Sequence, residues 1–142
     1  MFRTFTLAIL TVVMSASSAL ACTGIILTAA NGDVVYGRTQ EWGAFDLGSR
    51  VMIVPPGTEF TSTMPDGAPG LEWKSRFGVV AIDAVEQPVI IDGLNTAGLA
   101  TGLLYHPDFA EYAAFDPDTR DRALAPIDTA TYLLTNFASV AE

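Results

Sequence analysis

The sequence predicts an α+β domain in which strands come first and a single helix comes last. Two turn signals, Asn31-Gly32 and Asp92-Gly93-Leu94-Asn95, each separate apolar, β-rich stretches, the pattern of antiparallel hairpins. Only the last segment has helical spacing: Ala130, Leu133, Leu134, Phe137 and Val140 recur at three and four residues. Several strands with one helix, which runs to Ala141-Glu142 without a capping glycine, read as the N-terminal part of a larger domain.

The chain opens with a leader. Arg3 precedes an apolar run from Phe5 to Met14, then small residues from Ser15 to Ser18, then the cleavage signature Ala19-Leu20-Ala21. We read residues 1–21 as a signal peptide and expect a periplasmic or secreted product. A membrane span needs about 20 mostly apolar residues, more than this leader supplies. Cleavage after Ala21 exposes Cys22, the one cysteine of the chain, with its thiol and a free α-amine on the same residue. Such an amine titrates at roughly 7.7–8.0 in model peptides, close enough to neutrality to accept the thiol proton. Three readings of Cys22 compete at this point: a catalytic N-terminal nucleophile, a lipidated cysteine of a cell-envelope binding or structural module, and a plain buried thiol. The lipoprotein pattern usually has leucine three residues before the cysteine, where this chain has Ala19.

The remaining elements follow in order. Thr23 to Thr28 and Val34 to Tyr36 make a hairpin across Asn31-Gly32. Val51 to Val54 is a short strand stopped by Pro55-Pro56-Gly57. Thr58 to Gly70, rich in Thr, Pro, Gly and Asp, is expected as an exposed loop. Phe77 to Ile82 and Val89 to Ile91 are expected as buried strands, and Asp92 to Asn95 turns the chain into Leu99 to Leu104. His106 to Asp121, interrupted by Pro107 and Pro117, reads as a surface excursion, and Asp128 as the cap of the closing helix.

Charge narrows the partners. The net charge of -9 becomes -10 when the leader takes Arg3, and no acid, from seven basic and sixteen acidic residues. So acidic a chain is poorly suited to nucleic acid or to anionic lipid. An exported protein with one cysteine has no internal disulfide, so that thiol calls for a chemical explanation.

Arg38 and Glu41 lie just after the first hairpin, which returns them beside the strand end carrying Cys22. A guanidinium there favours the thiolate electrostatically, and a carboxylate can orient the α-amine. The rival reading is a solvated ion pair worth at most about 1 kcal/mol. Three blocks, Cys22-Thr23-Gly24, Gly37-Arg38-Thr39-x-Glu41-Trp42 and Asp92-Gly93-Leu94-Asn95-x-x-Gly98-Leu99, resemble the choloylglycine hydrolase and penicillin V acylase family. The likeness runs from Cys22 to Glu142, including the closing helix, Ala125-Pro126 to Phe137. It implies an N-terminal-nucleophile hydrolase with an αββα sandwich that cleaves non-peptide amides such as conjugated bile salts, phenoxymethylpenicillin or acyl-homoserine lactones.

By that resemblance Cys22 is the nucleophile and its amine the base, while Arg38 steadies the thiolate and the substrate carbonyl. Glu41 stands where the family more often has aspartate. Tyr105 stands where bile salt hydrolases typically have asparagine, as on the penicillin V acylase side, and its backbone N–H is an oxyanion donor. The family's oxyanion asparagine and a further arginine fall beyond Glu142, so residues 1–142 alone are expected to be inactive. The resemblance implies a small-molecule substrate and no metal or organic cofactor, and family members are often tetramers.

Other candidates are weaker. His106 is the lone histidine and sits beside Pro107, and no cluster has zinc spacing. Asp116, Asp118 and Asp121 lack the glycine and glutamate of a calcium loop. Met52, Phe60 and Met64 are expected on apolar loops that shape an acyl pocket.

Overall fold

A computed structural model describes residues 22–41, 45–104 and 110–142. The chain divides into two units, Met1–Ala44 and Phe45–Glu142. Among the described residues the architecture is α+β, with eight strands, two short 3-10 segments and one α-helix. No helix among them is long and apolar enough to cross a membrane.

The first unit contains the expected hairpin, β1 (Gly24–Thr28) against β2 (Val34–Arg38), in register from Gly24 opposite Arg38 to Thr28 opposite Val34. Its connection differs from the two-residue turn that Asn-Gly predicts. The Gly32 N–H donates to the Ala29 carbonyl at 3.0 Å and the Ala29 N–H to the Asp33 carbonyl at 2.8 Å. Only Gly32 has positive φ, at 90°. This is a three-residue loop ending in a glycine bulge. Asn31 serves instead through its side chain, which both accepts from the Asp33 N–H and donates to the Asp33 carboxylate.

In the second unit, β3 (Val51–Val54), β6 (Val79–Ala84), β7 (Gln87–Asn95) and β8 (Ala100–Gly102) form an antiparallel sheet in the order β3-β6-β7-β8. β4 (Glu59–Thr63) and β5 (Pro69–Lys74) pair separately. That pair corrects the expectation of an exposed loop from Thr58 to Gly70. Its threonines favour strands, and Phe60 stacks on Trp73 across the two strands at 5.2 Å between centroids. A 3-10 helix, Pro117–Arg122, then begins where Pro117 was expected only to break regularity. Pro117 fits its first turn, and the Asp116 carboxylate caps it by accepting from the Asp118 N–H.

The closing helix α1 (Thr129–Asn136) packs on one face of the four-stranded sheet. Ala130 and Leu134 join Val54, Val79, Ala81 and Ile90 in the core. Gly93 permits the close approach: a Cβ there would stand 2.9 Å from both Leu134 Cδ1 and the Val80 carbonyl oxygen. Two expectations for this helix fail. Val140 is 94% exposed, because the helix ends at Asn136. Asp128 occupies the N-cap position without bonding the helix amides; its carboxylate accepts from the buried Ser62 hydroxyl at 2.6 Å.

The opposite face of the sheet is apolar and bare. In register across three strands stand Ile53, Val80 and Leu94, each more than half exposed. The β6–β7 connection is a two-residue turn, with Val85 at φ 53° and Glu86 at φ 57°. Neither residue favours that region, and the cost for an L-residue is roughly 1–2 kcal/mol each. Ties to the preceding segment hold the turn: the Val85 N–H donates to the Leu47 carbonyl and the Asp83 N–H to the Arg50 carbonyl.

Asp83 is nearly fully buried and receives three hydrogen bonds from Arg50, two from the guanidinium and one from the backbone N–H. The guanidinium contact holds its carboxyl below the ordinary range, outweighing the opposing effect of burial. The unfolded carboxyl titrates near about 3.9. The stabilisation is therefore complete above about pH 4 and is lost as pH falls through the folded value. Asp83→Asn is expected to lower the urea midpoint at neutral pH by a margin that narrows on acidification below about pH 4. A margin independent of pH contradicts that assignment.

Candidate active site

The β-branched residues of β1 and β2 make the hairpin, and the hairpin fixes what stands beside Cys22. The regular ladder starts at Gly24, two residues after the cysteine. Beyond it the Thr39 N–H donates to the Thr23 carbonyl at 2.9 Å, and the Thr23 N–H donates to Thr39 Oγ1 at 3.0 Å. The chain leaving β2 thus runs back along the chain entering β1. Cys22 is half-buried and carries a free thiol.

Arg38 pairs with Gly24. Side chains alternate along a strand; if that alternation continues through the two residues before β1, Cys22 falls on the Arg38 face. Such diagonal neighbours stand roughly 7–8 Å apart, within reach of a long side chain. Gly24 brings no side chain between them. Arg38 is half-buried, and its Nε donates to the Thr39 carbonyl at 3.3 Å. Glu41 lies three residues past the end of β2 and is exposed; no hydrogen bond or ion pair joins it to Cys22 among the described residues. Tyr105, Trp42 and His106 lie outside the described residues.

The pocket-shaping residues take different places. Met64 is buried, Met52 and Phe60 pack against the core, and Phe60 is also stacked on Trp73. All three support the fold of the second unit. No cluster of His, Cys, Asp or Glu suited to a metal ion occurs among the described residues. Asp116 is a helix cap, and Arg120 grips Asp66 through two hydrogen bonds, so the acidic segment around them is a structural clasp.

Asp92 to Asn95, expected as a turn, instead completes β7, with the turn at residues 96–99, and Asn95 is a buried hub. It is the last residue of β7. Its Nδ2 donates to the carbonyls of Leu134 at 2.9 Å and Phe137 at 2.7 Å. Its Oδ1 accepts from the N–H groups of Ala97 at 3.0 Å and Leu99 at 2.9 Å. The side chain therefore ties the β7–β8 turn to the end of α1. An asparagine opening a short glycine-containing turn was the available signal, but its bonds to the helix join residues 39 and 42 positions apart.

Residues 22–142 match the family model of linear amide C–N hydrolases, choloylglycine hydrolase family. Among curated relatives, a penicillin V acylase of Pectobacterium atrosepticum is 30% identical over an alignment covering 96% of this chain and 37% of that protein. A bile salt hydrolase/transferase of Bifidobacterium longum subsp. longum is 26% identical over 85% of this chain and 37% of that protein. The chain thus spans little more than a third of the length of these relatives. No solved structure gives a significant match. The family match begins at Cys22, two residues before the strand end where Gly24 pairs with Arg38, and it covers every described strand and α1. The chain belongs to the choloylglycine hydrolase family of linear amide C–N hydrolases.

Proposed function

We propose that residues 22–142 are the N-terminal portion of an exported N-terminal-nucleophile amidase acting on a small-molecule amide, as a penicillin V acylase or a bile salt hydrolase does. Residues 1–21 are the signal peptide, and the product is periplasmic or secreted. The observation that carries the reading is the hairpin register, with Gly24 opposite Arg38 at the strand end next to Cys22.

In the mechanism, the leader must go first, because before cleavage the Cys22 nitrogen is an amide and cannot act as base. The freed α-amine takes the thiol proton, and the sulfur attacks the substrate carbonyl carbon. Arg38 favours the anionic sulfur. The Tyr105 backbone N–H donates to the oxyanion, and such a donor is worth about 3–4 kcal/mol of barrier. The protonated amine hands its proton to the leaving nitrogen as the C–N bond breaks. Water then attacks the thioester, giving a proton back to the amine, and the acid leaves with the thiol restored. Glu41 orients the amine from a position one methylene longer than aspartate.

The αββα sandwich is the matching architecture. One sheet face carries α1, and the bare row of Ile53, Val80 and Leu94 is apolar enough to receive a second sheet. The test uses the full-length secreted protein: intact mass of its N-terminus, and hydrolysis of phenoxymethylpenicillin against a glycine-conjugated bile acid. An unmodified Cys22 at the N-terminus is expected, with preference for the penicillin. A competent enzyme that retains its leader, or bears acyl groups on Cys22, rules the mechanism out; preference for the bile acid rules out the specificity assigned through Tyr105.

A further inference from the structure

We propose that Thr39 is a positioning residue for Cys22, an inference that rests on the nucleophile reading above. In an antiparallel ladder, the residues of a hydrogen-bonded pair exchange two bonds, each N–H meeting the opposite carbonyl. Thr23 and Thr39 make one of these, from the Thr39 N–H to the Thr23 carbonyl at 2.9 Å. The second bond is replaced. The Thr23 N–H goes to Thr39 Oγ1 at 3.0 Å, and the Thr39 carbonyl accepts instead from Arg38 Nε at 3.3 Å.

One residue therefore holds both halves of the thiolate site. Its hydroxyl fixes the peptide directly after Cys22, and its carbonyl orients the guanidinium. Chain termini fray unless tied down, and processing makes Cys22 a terminus. The ladder proper begins only at Gly24, so the Thr39 contacts are what fasten the residue between the ladder and the nucleophile. Without the hydroxyl, the Thr23 N–H must compete with Arg38 for the Thr39 carbonyl. Either the peptide after Cys22 or the guanidinium then loses one of its contacts.

The test compares Thr39→Val, which keeps the shape without the acceptor, and Thr39→Ser, which keeps the acceptor, in the full-length processed enzyme. Rates are normalised to the folded fraction, taken from circular dichroism and urea unfolding of each variant, so that loss of folded protein does not enter. Thr39 is exposed, so the fold is expected to survive, and Thr39→Ala gives an independent removal of the hydroxyl. For Thr39→Val, kcat should fall about 10-fold to 100-fold with KM changed less than about 3-fold, since misplaced reacting groups cost that much. The pH profile of Cys22 alkylation should shift, and the Thr23 amide should exchange faster with deuterium. Thr39→Ser should recover kcat to within about 3-fold of the parent. A parental kcat and alkylation profile in Thr39→Val overturns the proposal, as does an equal loss in Thr39→Ser. Failure of the underlying reading is separable: it appears as an active Cys22→Ala enzyme, whatever Thr39 does.

Discussion

Cys22→Ala in the full-length processed protein is expected to lower kcat/KM by about 10⁴-fold or more, the scale seen when a covalent nucleophile is removed. Residues 1–142 hold no second cysteine. The alanine variant keeps the α-amine, the hairpin and Arg38, so the loss isolates the sulfur. Cys22→Ser separates the roles further, because it retains the amine base and offers a weaker nucleophile; it should fall less far. Steady-state assays after N-terminal mass analysis provide the check. An alanine variant within about tenfold of the parent would remove covalent catalysis at this residue.

Asn95→Leu is expected to carry the largest cost in stability, about 3 kcal/mol. Four hydrogen bonds disappear at a net cost of roughly 0.5–1.5 kcal/mol each, part of which relaxation of the turn recovers. Two of the orphaned groups are carbonyls at the end of α1, and two are turn amides. Asn95→Asp separates the two sets. It keeps an acceptor for Ala97 and Leu99 but turns an anionic oxygen toward the Leu134 and Phe137 carbonyls. That surrounding raises the folded pKa of the introduced acid, so its protonated form suits the native state better. The aspartate variant should regain part of its lost stability as pH falls below about 5, the reverse of the Asp83 behaviour. Urea unfolding across pH measures both, and an Asn95→Leu midpoint equal to the parent's would show the hub to be idle.

What could be read in the sequence was local. The Asn31-Gly32 signal located the first hairpin, which in turn set Arg38 beside the Cys22 strand end. The apolar spacing in the last segment located α1 and its buried pair, Ala130 and Leu134. What escaped depended on distant partners. Thr58 to Gly70 resembled a loop because its strand character rests on Phe60 meeting Trp73, and on Trp73 donating to Thr135 of the helix. The turn at Val85-Glu86 has neither glycine nor asparagine, so no local rule marks it. Asp128 looked like a cap because nothing near it in sequence announces Ser62. Thr39 lies within the block from Gly37 to Trp42, and its bonds to Thr23 follow from the ladder register rather than from any local signal.

The strands β6, β7 and β8 are consecutive, joined by connections of two and four residues. Loops that short close within about 0.1 μs, far faster than distant segments meet. The meander can therefore zip before β3 arrives across the intervening β4–β5 hairpin, and before α1 arrives from beyond residue 128. Kinetically, Asn95 is then a late latch. Its turn bonds form with the meander, whereas its bonds to the helix wait for the last docking step, so its substitution should quicken unfolding more than it slows folding.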